Sequence, residues 1–201
     1  MPAPEYQNAE IATQNLCVSR GGRVLFSALT LNVASGQAVL LHGANGSGKT
    51  SLMRALAGFI EPHSGQITLT PGPGAVGFMG HQLGLKANET VLDALNFFDA
   101  FGGQTGSDLS QVLKDLALSH LTRRMCGSLS AGQKQRVGLA RLVLSNRAIW
   151  LMDEPAAPLD LKNRARLKRI VEAHRAQGGL VVAATHIGLD WDDAERVELR
   201  P

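Results

Sequence analysis

The feature that most constrains this chain is the run GANGSGKT at residues 43–50, where Gly43, Gly48, Lys49 and Thr50 stand in the spacing G-x-x-x-x-G-K-T. An apolar run at 38–41 precedes it and a helix-forming stretch at 49–57 follows, the strand, glycine turn and helix that a phosphate-cradling loop requires. Glycines at 43, 46 and 48 let the backbone wrap without side-chain obstruction. The N–H groups of Gly43, Ala44, Asn45, Gly46, Ser47 and Gly48 can then converge on an anion at the helix N-terminus. Lys49 supplies a point charge for β- and γ-phosphates, and the Thr50 hydroxyl is placed to ligate Mg²⁺. The bland alternative is a glycine-rich turn that happens to end in Lys-Thr. At average residue usage the bare pattern arises by chance in on the order of one percent of chains this long.

The rest of the chain suits the α/β fold that such a loop demands. Apolar runs at 38–41, 76–79, 148–152 and 180–184 lack period-2 alternation, as strands of a parallel sheet buried on both faces do. Helix-like stretches at 49–57, 89–101, 108–118, 131–144 and 160–176 lie between them. Earlier in the chain, 16–18, 29–33 and 66–69 are short, partly alternating and separated by turns, which predicts an N-terminal antiparallel β subdomain. Residues 86–127 read as helical without intervening strands, apart from the loop Gly102-Gly103-Gln104-Thr105-Gly106. The expectation is an α/β P-loop NTPase core with a mainly parallel sheet. A helical subdomain at about 86–127 is inserted into a single domain spanning 1–201. A length of 201 residues, 44% of them hydrophobic, is enough for one well-buried core.

A second carboxylate-bearing motif, AIWLMDEP at 148–155, is an apolar strand that ends in two acids. Asp153 can hold Mg²⁺ through water, and Glu154 can orient and deprotonate an attacking water. Alone, such a pair could equally cap the next helix. The phosphate loop upstream breaks that tie.

Other signals mostly exclude. The net charge of +3 is modest and the Lys and Arg residues are scattered, so no nucleic-acid partner is expected. Cys17 and Cys126 show neither metal-ligand nor disulfide-framework spacing. No apolar run approaches the ~18 residues of a membrane span, and the opening MPAPEYQNAE lacks the basic and apolar regions of a signal peptide. A cytoplasmic setting is expected, with any membrane attachment supplied by another protein.

Between and after the two motifs, the chain resembles the ABC transporter family. Leu129, Ser130, Ala131, Gly132 and Gln133 resemble its signature LSGGQ, and the helix-forming run to Leu144 follows. Ser130 and Gly132 sit where a helix begins, so hydroxyl, N–H groups and helix dipole can face an anion; an ordinary N-capped helix is the plainer reading. Gln82 matches the Q-loop glutamine, Pro158-Leu159-Asp160 the D-loop, and His186 in AATH the switch histidine. Each is weak alone, but they fall in the family's order and span nearly the whole chain. The resemblance implies ATP and Mg²⁺ as ligands, Glu154, His186 and Gln82 as catalytic groups, and Thr50, Gln82 and Asp153 at the metal. It also implies a homodimer in which Ser130, Gly132 and Gln133 of one copy close over ATP held by the other, docked on an integral membrane permease. Two departures stand out: no aromatic residue precedes the phosphate loop to stack on adenine, leaving Arg20 to do so through its guanidinium plane, and Ala131 replaces a signature glycine.

The run GHQLGLKANETVLDAL at 80–95, together with RGGRVLF and HRAQGGLVVAATH, resembles the CcmA branch, the ATP-binding subunits of bacterial cytochrome c maturation. That implies a CcmB-like permease, with a CcmC-like protein beside it. The attachment would be peripheral, on the cytoplasmic side of the cell inner membrane, and the task haem export or haem-chaperone release. No CxxCH haem-attachment motif is present. The motor of another single-cassette exporter, for lipoproteins or lipopolysaccharide, stays open at this point. A soluble ABC ATPase of translation or DNA repair fits less well, because those generally need two cassettes or long coiled-coil insertions.

Overall fold

The structure, a computed structural model, describes residues 6, 8–101, 108–191 and 193–199. The expected loop at 102–106 lies outside them. Four of the strands are the apolar runs: β3 (Ala38–His42), β5 (Val76–Met79), β6 (Ile149–Asp153) and β7 (Leu180–Ala184). They pair in parallel in the order β5-β6-β7-β3. Because successive side chains leave a strand on opposite faces, these strands feed two separate cores. Leu40, Trp150, Met152, Val181 and Ala183 enter one. Leu41, Ile149, Leu151, Leu180 and Val182 enter the other.

Two layers cover these faces. On one lie α1 (Lys49–Leu56), through Leu52, Met53 and Leu56, and an antiparallel sheet, through Ile11, Val18, Phe26 and Val33. That sheet joins β1 (Glu10–Arg20), β2 (Arg23–Ala34) and β4 (Ser64–Thr70) in the order β2-β1-β4. Its strands are longer than the short runs expected, because register shifts after Thr13 and Leu16 interrupt the alternation that would reveal them. On the other face lie α4 (Ala131–Leu144) and α5 (Leu161–Ala176), with α2 (Val91–Phe101) and α3 (Leu109–Asp115) packed beyond them. Arg136 ties α4 to this layer by donating to the carbonyls of Leu116 and Ala117 at 2.7 and 2.6 Å. Arg141 donates to Leu83 O at 2.7 Å and stacks over the Phe98 ring at 4.1 Å.

One element was not anticipated. β8 (Glu195–Glu198) extends the parallel sheet beyond β3, with Val39 opposite Glu195 and His42 opposite Glu198. It is an exposed edge strand whose charged residues carry no apolar run. Its placement matters, because Leu199 N donates to His42 O at 2.8 Å and so braces the end of β3 where the glycine loop begins.

Candidate nucleotide site

The C-terminal ends of β3, β7, β6 and β5 lie side by side, and each hands the chain to a loop bearing a predicted site residue. This is where open parallel sheets gather their ligands. After β3 the glycine loop turns sharply into α1. Gly48 is the N-cap of α1 at φ 98°, and a Cβ there would meet Phe26 Cδ1 at 3.0 Å and Leu25 Cβ at 3.1 Å. A Cβ on Gly43, at φ 147°, would stand 2.6 Å from Ser47 Oγ and 2.7 Å from Leu199 O. Only glycine lets the loop lie between β2 and the chain after β8. Lys49 is nearly buried and folds back across the loop, donating from Nζ to Gly43 O at 2.7 Å and Ala44 O at 3.0 Å. Its charge is therefore held against the first residues of the glycine loop.

The β6 acids meet this loop. Thr50 Oγ1 donates to Asp153 Oδ2 at 2.9 Å, joining the start of α1 to the end of β6. Asp153 is buried, so a hydroxyl and a carboxylate oxygen stand together next to the phosphate loop. Hard oxygen donors of this kind suit Mg²⁺, which takes one or two protein oxygens and completes its shell with phosphate and water. Glu154 adopts φ 53°, a left-handed backbone that costs a non-glycine residue about 1–2 kcal/mol. Three contacts hold it there. Its N–H donates to Ala184 O at 2.8 Å, Gln135 Nε2 donates to its carbonyl at 3.2 Å and to that of Pro155 at 2.9 Å, and His186 lies 2.9 Å away, Nδ1 to Oε1. His186 N also donates to Glu154 Oε2 at 3.3 Å. The loop after β7 thus holds the Glu154 carboxylate, and helix α4 holds its backbone.

A cleft of about 460 Å³ brings together Arg20, Asn45, Gly46, Gly48, Lys49, Thr50, Asp153 and Glu154, as expected. Leu25, Ser51, Arg54 and His81, which were not expected, line it as well. Arg20 is exposed and sits with Leu25 on the flank formed by the β1–β2 hairpin. The expectation that Gln82 reaches the site is not met in this geometry: Gln82 lines a different cleft with Phe78, Phe98 and Arg141, and His81 occupies the place at the phosphate loop. Ser130, Gly132 and Gln133 do not line the cleft of their own chain. Ser130 caps α4 in a capping box, its Oγ accepting from Gln133 N at 3.3 Å while Gln133 Oε1 accepts from Ser130 N at 2.9 Å. A Cβ on Gly132 would lie 2.9 Å from Pro158 O, so the signature helix and the segment before Asp160 touch through a glycine. Asp160 itself caps α5 by accepting from Asn163 N at 2.8 Å. Gln135 was also missed; it lies just past the signature on α4, and nothing in its local sequence marks it as a brace for Glu154.

Residues 26–157 match the family model described as ABC transporter. The chain belongs to the ABC transporter family. The cytochrome c biogenesis ATP-binding export protein CcmA of Maricaulis maris is 42% identical over 202 residues, covering 98% of this chain and 94% of that protein. Its counterpart in Roseobacter denitrificans is 41% identical over 191 residues, covering 95% and 91%. A putative ABC transporter ATP-binding protein from Pyrococcus furiosus shares the fold with a TM-score of 0.82 at 22% identity, over 94% of this chain and 97% of that one. An ABC ATPase domain binds and hydrolyses ATP, so the cleft at the glycine loop belongs to a family of ATP hydrolases. No helix among the described residues is long and apolar enough to cross a membrane.

Proposed function

We propose that this chain is the ATP-hydrolysing subunit of an ABC exporter for c-type cytochrome biogenesis, of the haem-transporting class. The observation that carries the hydrolytic part is the meeting of Lys49, Thr50, Asp153 and Glu154 in one cleft. The relatives named for cytochrome c biogenesis and ATP-binding export, matched over nearly the full chain, support the biological part. The loop N–H groups and Lys49 bind the triphosphate, and Arg20 stacks on the base. Thr50, with Asp153 through water, would hold Mg²⁺, which when bound neutralises charge on the β- and γ-phosphates. Glu154 orients the attacking water and accepts its proton, and His186 holds that carboxylate in place.

The signature residues Ser130, Gly132 and Gln133 lie outside their own chain's cleft, which supports a homodimer in which they complete the partner's site. We further propose that residues 86–127 act as a helical subdomain inserted in one ABC ATPase domain. The groove beside it would dock a CcmB-like permease, with a CcmC-like protein in the same assembly, on the cytoplasmic side of the inner membrane. The test is Glu154→Gln in the complex purified from membranes. ATP binding should persist, a closed dimer should accumulate, and turnover should fall by at least about 10²-fold. Unimpaired steady-state hydrolysis, or co-purification with a permease for another cargo, would overturn the corresponding half of the proposal.

A further inference from the structure

We propose that the cavity between α3 and α5 binds a small aromatic carboxylate, its ring seated against Trp150 and His174 and its acid group turned toward Arg166 and Arg169. The inference is independent of the nucleotide reading, because the residues that line this cavity and those that line the phosphate cleft have none in common.

The helical repeat builds the walls. Along α5 and its cap, Arg166, Ile170, His174 and Gln177 fall three or four residues apart, so they share one face. Gln111 and Asp115 do the same on α3, where Gln111 Nε2 donates to Asp115 Oδ1 at 2.9 Å. These faces border a cavity of about 310 Å³, the size of a small-molecule site, with Val112, Val143, Trp150 and Ile170 among its walls. Tyr6 lines it as well, its hydroxyl donating to Asn146 Oδ1 at 2.5 Å and its ring tilted against His174 at 5.1 Å. A second cleft of about 440 Å³ adjoins it, because Asp115, Ile170 and Ala173 line both. There Lys114, Arg166 and Arg169 face a single acid, Asp115. The joined space is aromatic at one end and cationic at the other.

One polar atom in these walls calls for a ligand. Trp150 is 3% exposed, and its Nε1 is buried with no hydrogen-bond acceptor among the described residues. A buried indole N–H ordinarily finds an acceptor, and Trp150 stands in the wall of a cavity that can supply one. His174 cannot serve it, since Nε2 is committed to Ala148 O at 3.1 Å and the two rings lie stacked, planes 5° from parallel. That stack, with Tyr6 beside it, offers aromatic surface to a flat ring. At the other end Arg166 is held in place by donating from Nε to Asp115 O at 3.2 Å. Arg169 starts five residues before His174, about 7.5 Å along the helix, which is within the length of an arginine side chain. One carboxylate on a flat ring can therefore accept from the indole and face the guanidinium groups.

The experiment follows the indole N–H signals of Trp150 and Trp191 by NMR in the full chain labelled with ¹⁵N-tryptophan, Trp150→Phe showing which signal is which. The probes are indole-3-acetate and indole-3-acetamide, which share a ring and a carbonyl acceptor and differ in charge. Indole-3-acetate should move the Trp150 signal and leave Trp191 in place, with a Kd at or below about 1 mM, as ordinary ligand efficiency gives a molecule of this size. The amide should bind at least about fivefold more weakly, and Arg169→Gln should weaken the acid by a similar factor. Ala173 is exposed on α5 and lines both clefts, so Ala173→Phe should block binding while the urea midpoint stays at the wild-type value. No shift with up to about 10 mM of either probe overturns the proposal, as does a shift that Ala173→Phe leaves unchanged. Equal binding of acid and amide removes the anionic class of ligand. Magnetisation transfer from a bound water to the Trp150 N–H that persists at saturating indole-3-acetate assigns the donor to that water, and overturns the proposal too.

Discussion

His174 should make this fold lose stability in mildly acidic solution. The residue lies on α5 with 4% of its surface exposed, stacked on Trp150 with ring centroids 3.7 Å apart and planes 5° from parallel. Its Nε2 is 3.1 Å from Ala148 O, and the Tyr6 ring lies 5.1 Å away, tilted. Burial pushes its pKa from 6.5 down to about 4, outweighing the backbone hydrogen bonds that favour the charged ring. The unfolded chain therefore begins to bind a proton near the ordinary histidine value, and the folded chain resists it until near pH 4. Stability contributed by the neutral ring is complete above that ordinary value and is lost as pH falls through the folded one. The whole effect is about 3 kcal/mol, from roughly 2.5 pKa units at 1.36 kcal/mol each, and about 2 kcal/mol is already gone at roughly pH 5. Urea unfolding near pH 7.5 and pH 5, on wild type and His174→Gln, measures it. The variant is less stable throughout because it loses the stack, but its loss between the two pH values should be smaller than that of wild type by about 2 kcal/mol. Carboxylates titrating elsewhere contribute to both proteins and cancel. Parallel declines would refute the reasoning.

Three further outcomes follow from contacts already described. Gly43→Ala puts a Cβ against Ser47 Oγ and Leu199 O at a left-handed φ; nucleotide binding should disappear in an ATP-analogue titration, and the unfolding free energy should fall by at least about 2 kcal/mol. Arg20→Ala should raise KM for ATP by about fivefold, as expected for a stacking cation worth about 1 kcal/mol, and leave kcat near wild type; an unchanged KM removes Arg20 from the adenine position. Gln135→Ala removes the amide that holds the Glu154 and Pro155 carbonyls, so kcat should drop by about tenfold or more while analogue binding stays intact.

The parallel sheet was legible because its strands are buried on both faces, so each is an unbroken apolar run whose ends hardly move between sequence and structure: 76–79 and 180–184 coincide with β5 and β7. Helix α4 was legible at both ends for a different reason. Its N-terminus carries Ser130 and Gln133 at capping-box spacing, and its apolar residues stop at Leu144. β8 was invisible, since an edge strand of Glu, Arg, Val and Glu displays no burial pattern and exists because β3 offers an open edge. The antiparallel strands were only half visible, because bulges at residues such as Asn15 and Ala28, both at positive φ, shift the period on which detection rests.

The same distinction governs the site. Residues 43–50 announce themselves as a strand, glycine turn and helix because the turn between β3 and α1 is shaped by its own glycines, so local residue types carry the whole signal. That Glu154 and His186 come together follows from each closely trailing a buried strand, since the sheet brings strand ends together whatever the loops do. His81 and Gln82 show where this stops. Both follow β5 and both carry polar heteroatoms, and which cleft each lines is set by the path of the chain after Met79, which no local residue pattern encodes. Gln135 is hidden for a related reason. It lies on the buried side of α4, where an apolar residue would be expected, and only the carbonyls of Glu154 and Pro155 to which it donates explain why an amide is there. The strain at Glu154 and the polar residue buried beneath it are two sides of one local arrangement, and either alone would be unfavourable.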